Sequence, residues 1–210
     1  MKTDRLLILT GGQYHDFDLG TRFLKHLLIS SGWFDVAVTE DRHALLSLGD
    51  FDGVVIYAHG GVLSAKEEQA LVDFVAAGHG LVGVHSANAS FYPNLRYRAM
   101  LGSRFIEHAP QLHQFQVRVS NPQHPLAAGL HDFRVVCEFY RSACDAGLDV
   151  FLTGEWEGQT IPLAYTKAHG KGRVLYIALG HDMRALGNPH VSDLIVRGAR
   201  WATRSAVAAL

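Results

Sequence analysis

Gly80-Leu81-Val82-Gly83-Val84-His85-Ser86-Ala87 is a short apolar run that stops on a histidine set among small residues. Its Leu and Val residues show no polar alternation, which marks a strand buried on both faces, as in a parallel sheet covered by helices. Gly83 and Ala87, two positions either side of His85, permit a tight strand-to-helix elbow, a turn that needs close backbone approach and strained dihedrals. Elbow enzymes place a nucleophilic Ser or Cys at the centre of that turn. Here the centre is a histidine, so the stretch points to a place for chemistry more firmly than to a reaction. Ser86, one position later, reads as a cap for the helix start rather than as a nucleophile.

Towards the N-terminus the same grammar repeats. Arg5 to Thr10 and Val54 to Ala58 are apolar strands, each followed by glycines and a histidine: Gly11-Gly12-Gln13-Tyr14-His15 and His59-Gly60-Gly61. Between them, Asp16 or Asp18 caps a helix with Leu19, Phe23, Leu24, Leu27 and Leu28 on one face, and Trp33 to Val38 is a further strand. Ser64-Ala65-Lys66-Glu67 has capping-box spacing and opens a helix with Leu71, Phe74 and Val75 on its apolar stripe, stopped at Gly78. Alternating buried strands and amphipathic helices imply right-handed crossovers and a parallel sheet. Residues 5–10, 54–58 and 80–85 are therefore expected to be neighbouring parallel strands with their ends together.

Towards the C-terminus the pattern loosens. Ala89 to Met100 reads as a short helix interrupted at Pro93, and Gly102 to His108 as a segment packed back over the strand ends. Gln114 to Val119 alternates like a strand wet on one side. Phe133 to Tyr140 is an apolar strand that contains one acidic residue, Glu138. After a strand at Asp149 to Thr153, the arms Ile161 to Lys167 and Arg173 to Leu179 flank Ala168-His169-Gly170-Lys171-Gly172, a hairpin signal because glycine supplies positive φ. The second arm runs into Gly180-His181-Asp182. Asn188-Pro189 caps and opens a last helix whose inner face is Val191, Leu194, Ile195, Gly198, Ala199 and Ala202.

At 210 residues and 48% hydrophobic content the chain fills one core, and we read residues 1–210 as a single α/β domain. A net charge of -1 with no Lys/Arg run excludes nucleic-acid and anionic-membrane surfaces, which need concentrated positive potential. The apolar stretch near the start is too short to span a membrane. Small neutral or mildly charged ligands fit this balance, and a homo-oligomer is compatible with it. Cys137 and Cys144 suit the reducing cytoplasm, where they read as inert core filler.

Thirteen histidines are more than such a composition leads one to expect, and their placement is specific. His15, His59, His85 and His181 each follow a strand, and open parallel sheets bind ligands outside the C-terminal ends of their strands. With His108, Glu138 and Tyr140 they form a candidate pocket. Three chemistries suit it. Neutral imidazoles with Glu138 are ligands for a divalent metal such as zinc, although no short His-x-x-x-His pair is present. His85 and His181 form a candidate catalytic acid and base pair. His15, His59, His108, Glu138 and Tyr140, with Gln13 and Tyr14 beside them, offer hydrogen bonds to a sugar ring.

The series Gly11-Gly12-x-x-His15-Asp16-Phe17, Gly83-Val84-His85-Ser86-Ala87, Phe105-x-x-His108, His124-Pro125-Leu126, Glu138-Phe139-Tyr140, Gly170-Lys171-Gly172-Arg173-Val174, Leu179-Gly180-His181-Asp182 and Gly198-x-x-Trp201-Ala202 resembles the trehalose-utilisation (ThuA-like) family, in order and over nearly the whole chain. The resemblance implies a class I glutamine amidotransferase-like fold: a flavodoxin-like three-layer α/β sandwich with a mainly parallel sheet and a late β-hairpin. By position it puts His85 where that superfamily has its cysteine nucleophile and His181 where it has the base. Imidazole at the elbow puts glutamine hydrolysis out of reach, because it cannot form the thioester that route requires. The resemblance also supplies the substrate class, trehalose and related disaccharides including 3-keto derivatives. Its rival is a catalytically silent sugar-binding or regulatory module on the same scaffold.

Overall fold

The computed structural model describes residues 3–204. Strand β1 (Asp4–Gly11) pairs in parallel with β2 (Phe34–Thr39) on one side and β3 (Gly53–Ala58) on the other. β4 (Gly80–Val84) lies parallel beside β3, with Leu81 opposite Val54. The strands around 5–10, 54–58 and 80–85 are thus neighbours with their ends together, and their side chains are buried on both faces.

Helix α1 (Phe17–Ser30) starts at Asp16, whose carboxylate accepts from the Leu19 amide at 3.0 Å. Its buried face is Phe17, Gly20, Thr21, Leu24 and Leu28, whereas Leu19 is exposed, against the stripe expected from apolar residues alone. The helix turns its smallest residue to the sheet because Tyr57 needs the space: a Cβ on Gly20 would lie 2.6 Å from the Tyr57 hydroxyl. Helix α2 (Ala65–Ala76) has its capping box complete, Ser64 N–H donating to Glu67 Oε2 at 2.7 Å and Glu67 N–H to Ser64 Oγ at 3.3 Å.

After β4 the chain makes a 3-10 turn over His85–Ala89, and α3 (Leu95–Leu101) begins only beyond Pro93. Proline disfavours helical backbone at the residue before it, so the expected Ala89 to Met100 helix is split in two. The Ser86 hydroxyl is buried without a hydrogen-bond partner among the described residues and caps nothing, which corrects its reading as a helix cap.

β5 (Ser103–His108), β6 (His113–Val119), β7 (Phe133–Cys137) and β8 (Tyr140–Cys144) follow. β5 and β8 form a separate antiparallel ribbon, the segment expected to fold back over the strand ends. The stretch Phe133 to Tyr140 is not one strand: the chain leaves the main sheet at Glu138-Phe139, between β7 and β8. β9 (Asp149–Trp156), β10 (Gln159–His169) and β11 (Gly172–Ile177) complete the sheet, in the order β2-β1-β3-β4-β11-β10-β9-β6-β7. It is mixed: β11 joins β4 in parallel, and the strands beyond it run antiparallel to their neighbours.

A short helix α4 (Met183–Leu186), capped by Asp182, precedes α5 (Pro189–Thr203), which buries the six residues expected of its inner face. α1 and α5 cover one face of the sheet, α2 and α3 the other. Cys137 lies in the core, but Cys144 is exposed at the end of β8 and is not core filler. No helix among the described residues is long and apolar enough to cross a membrane.

Candidate functional site

His85 closes the elbow with φ +48°, a left-handed conformation that costs a non-glycine residue about 1–2 kcal/mol. Two hydrogen bonds hold it there. Its carbonyl accepts from the Tyr176 hydroxyl at 2.8 Å, and its ring Nδ1 donates to the Ala178 carbonyl at 2.7 Å. The Tyr140 ring lies against the imidazole with centroids 4.1 Å apart, and His85 is fully buried. With Nδ1 committed as donor, Nε2 carries the lone pair, and it faces Glu138 Oε2 at 3.4 Å.

His15 is set in the same manner. Its Nδ1 is hydrogen-bonded to the Gln13 carbonyl at 3.1 Å, which leaves a buried Nε2 with no partner. His181, delivered past β11 by Gly180 at φ +139°, brings Nδ1 to 2.9 Å from Glu138 Oε2 without the alignment of a hydrogen bond. Ring centroids are 4.7 Å apart for His15 and His181, 5.0 Å for His15 and His85, and 5.4 Å for His85 and His181. One ligating atom from each of His15, His85, Glu138 and His181 lies within 4.8 Å of the other three.

Burial, reinforced by His85, lowers the His15 imidazole to about 3, and burial likewise lowers His85 against the opposing pull of Glu138. Both rings are therefore neutral at pH 7. Burial disfavours a charge on Glu138, but hydrogen bonds and charges from His181 and His85 outweigh it and hold the carboxyl well below its usual range. Lone pairs of neutral imidazoles thus converge on a carboxylate with no proton between them. That arrangement is repulsive by itself and is resolved by a cation with nitrogen and oxygen ligands.

The other expected residues surround this cluster. His59 is half-buried, its ring 5.8 Å from His15 and edge-on to Tyr14 at 5.1 Å, and burial keeps it neutral. His108, at the end of β5, hydrogen-bonds the Ala109 carbonyl at 2.8 Å through Nδ1, which also lies 3.8 Å from Glu138 Oε1. Tyr140 is buried between His85 and Phe105, so it packs the site rather than facing solvent. The residues that follow His15 and His181, Asp16 and Asp182, line a 240 Å³ pocket between α1 and α4 together with Arg184.

Sequence reasoning passed over two parts of the arrangement. Asn88 joins the elbow to the ribbon by donating to Ser142 Oγ at 2.8 Å and to Ser103 Oγ at 3.3 Å, and no spacing in the sequence announces that link. Asp182 caps α4 and accepts from the Arg184 amide at 2.8 Å, which the order Asp, then apolar, then Arg would have signalled. His124 illustrates the opposite case. It is buried and bonded to Thr166 Oγ1 at 2.8 Å and the Leu126 amide at 3.1 Å, a structural histidine away from the cluster.

A three-layer α/β sandwich with a carboxylate and three histidines at the C-terminal edge of its parallel strands places the protein among flavodoxin-like and glutamine amidotransferase-like folds. The chain belongs to the ThuA family, described as trehalose utilisation, which matches residues 5–202. It is similar in structure to a ThuA-like protein of Parabacteroides merdae, with TM-score 0.87 and 21% identity over 96% of this chain and 90% of that one. A ThuA-like protein of Bacteroides uniformis gives 0.80 and 19% over 96% and 93%. A Thermoplasma acidophilum protein described as one of the subunits of GMP synthase gives 0.61 and 12% over 96% of each chain, which ties the fold to the amidotransferase type. No curated protein matches the chain.

Proposed function

We propose that the protein is a metal-dependent enzyme of carbohydrate metabolism acting on trehalose, a related disaccharide or its 3-keto derivative, with His15, His85, Glu138 and His181 holding a divalent ion such as zinc. The observation that carries this reading is the set of buried ring nitrogens, His15 Nε2, His85 Nε2 and His181 Nδ1, which lack hydrogen-bond partners and converge on Glu138. An ion of this kind, when bound, polarises a substrate carbonyl or hydroxyl oxygen as a Lewis acid.

The chain's own residues do the rest. The Ala178 carbonyl fixes the His85 tautomer, and the Tyr140 ring fixes its plane. His85 and His181 thus act as ligands, not as partners that exchange a proton, because the His85 ring has no nitrogen free for substrate. Proton transfer falls to the rim: His59 accepts a hydroxyl proton at a ring nitrogen, and His108 presents Nε2 while its Nδ1 stays on Ala109. Asp16 and Arg184 offer hydrogen bonds to sugar hydroxyls from the pocket between α1 and α4. Two unpaired cysteines are in keeping with a cytoplasmic setting.

The test is elemental analysis of protein purified without chelators, followed by turnover assays on trehalose and a 3-keto-disaccharide for the wild type, His181→Ala and Glu138→Gln, each checked for fold by circular dichroism. About one ion per chain is expected, with both variants losing the ion and at least ~10²-fold in turnover. Turnover that survives complete metal removal would sink the metal reading. Sugar binding with no turnover in the metal-loaded wild type would establish the silent-module alternative.

A further inference from the structure

A second concave site lies at the other end of the β5–β8 ribbon, where Ser103 pairs with Cys144 and α3 packs above. The cleft measures about 230 Å³ and is lined by Arg98, Ala99, Ser103, Arg104, Cys144 and Asp145. We propose that it binds a phosphate group, free or carried on a small sugar, through the guanidinium groups of Arg98 and Arg104.

Charge is the first support. Neither guanidinium has a carboxylate partner among the described residues, whereas Arg141 on the same ribbon is paired with Glu107. The acidic residue of the cleft, Asp145, is balanced by Lys167, whose Nζ lies 3.5 Å from its Oδ2. The cleft therefore keeps the charge of two arginines. The second support is an unmet donor. Arg98 is held by its Nη1, which donates to the Tyr92 carbonyl at 3.3 Å, and by the Tyr92 ring, 4.8 Å from its Cζ. Its Nε is buried and has no acceptor. A buried N–H of a charged group left unmade is costly, and an anion in the cleft satisfies it.

The geometry favours phosphate over a lone carboxylate. A carboxylate is filled by one guanidinium fork, while a tetrahedral oxyanion has oxygens for two forks arriving from different elements, here α3 and β5. The cleft has room beyond the phosphate, and Asp145 at its side accepts hydroxyl protons, which suits a sugar as the carrier. None of this depends on what the histidine cluster holds.

The experiment is isothermal titration of the full chain, in phosphate-free buffer at low ionic strength, with inorganic phosphate, glucose 6-phosphate and glucose. Saturable binding of at least one phosphorylated probe and none of glucose is expected. Equal affinity for the two phosphorylated probes identifies free phosphate as sufficient, and tighter binding of glucose 6-phosphate identifies the phosphosugar. Arg98→Ala and Arg104→Ala should each weaken binding at least tenfold, with Arg98→Lys and Arg104→Lys used if an alanine variant unfolds, since lysine keeps the charge but not the fork. His181→Ala should bind as the wild type does. Absence of saturable binding by either phosphorylated probe, unchanged affinity in the arginine variants, or binding lost in His181→Ala would overturn the assignment.

Discussion

Gly12 lets two loops of the site touch, and Gly12→Ala should separate them. Its φ is +127°, and an added Cβ would overlap the His59 carbonyl oxygen while standing 2.9 Å from both the His59 nitrogen and carbonyl carbon. Ordinary contact begins near 3.4 Å, so the loops must part by roughly half an ångström at those atoms and by more at the oxygen. Left-handed strain costs about 1–2 kcal/mol and overpacking about 1–3 more. For a domain of this size that lowers the melting temperature by roughly 5–15 °C. His15 sits on the displaced loop, and disturbing the supports of a metal ligand typically costs about 10–100-fold in metal affinity. Gly129→Ala is the control: its φ of +73° incurs strain, but nothing lies within 4 Å of the added Cβ. Thermal unfolding by circular dichroism and zinc competition against a chromophoric chelator would be measured on both. Gly12→Ala should lose stability and zinc affinity, Gly129→Ala only about 1–2 kcal/mol of stability. If the two variants behave alike in both assays, the contact between the loops does not position His15.

Acid should destabilise the metal-free protein. The His15 imidazole is lowered from 6.5 to about 3 and His59, His85 and His124 are lowered too, so below about pH 6.5 the unfolded chain binds protons that the folded chain refuses. Their stabilisation is complete above that range and falls as pH drops, and the depressed Glu138 carboxyl adds a loss of the same sign below its ordinary range near 4.5. Urea titrations should show stability decreasing from pH 7 to pH 5, and a flat profile would contradict the buried neutral histidines. Ser64→Ala removes one arm of the capping box at α2 and should cost about 1 kcal/mol, read as a lower urea midpoint with unchanged slope.

How much of this was legible in the residues depends on the range over which each signal acts. The parallel core strands were readable because burial on both faces leaves unbroken apolar runs, as in Val54-Val55-Ile56-Tyr57. The α5 face was readable because each of its buried residues is apolar or small at helical spacing. The α1 face was partly missed because shape, not hydrophobicity, turned Gly20 and Thr21 inward beneath Tyr57. That His15, His85, Glu138 and His181 belong together could be suspected from their positions after strands or within an apolar stretch. Which nitrogen of each ring is free could not, since the backbone carbonyls of Gln13 and Ala178 decide it for His15 and His85, and those contacts exist only in the fold. The anion cleft was invisible for the same reason: Arg98, Arg104 and Asp145 share no sequence pattern, and only the pairing of β5 with β8 brings them to one place.

The order of strands in the sheet also has a bearing on the protein's synthesis. β11 is the last strand made, yet it fills the place beside β4 in the middle of the sheet. Until Gly172–Ile177 have left the ribosome, β4 remains an open edge with its backbone groups unpaired and both faces apolar, the kind of edge that recruits strands from other chains. The same late insertion delivers His181 and the Ala178 carbonyl that orients His85. A nascent or truncated chain is therefore adhesive and inert at once, and a single zippering event ends both conditions.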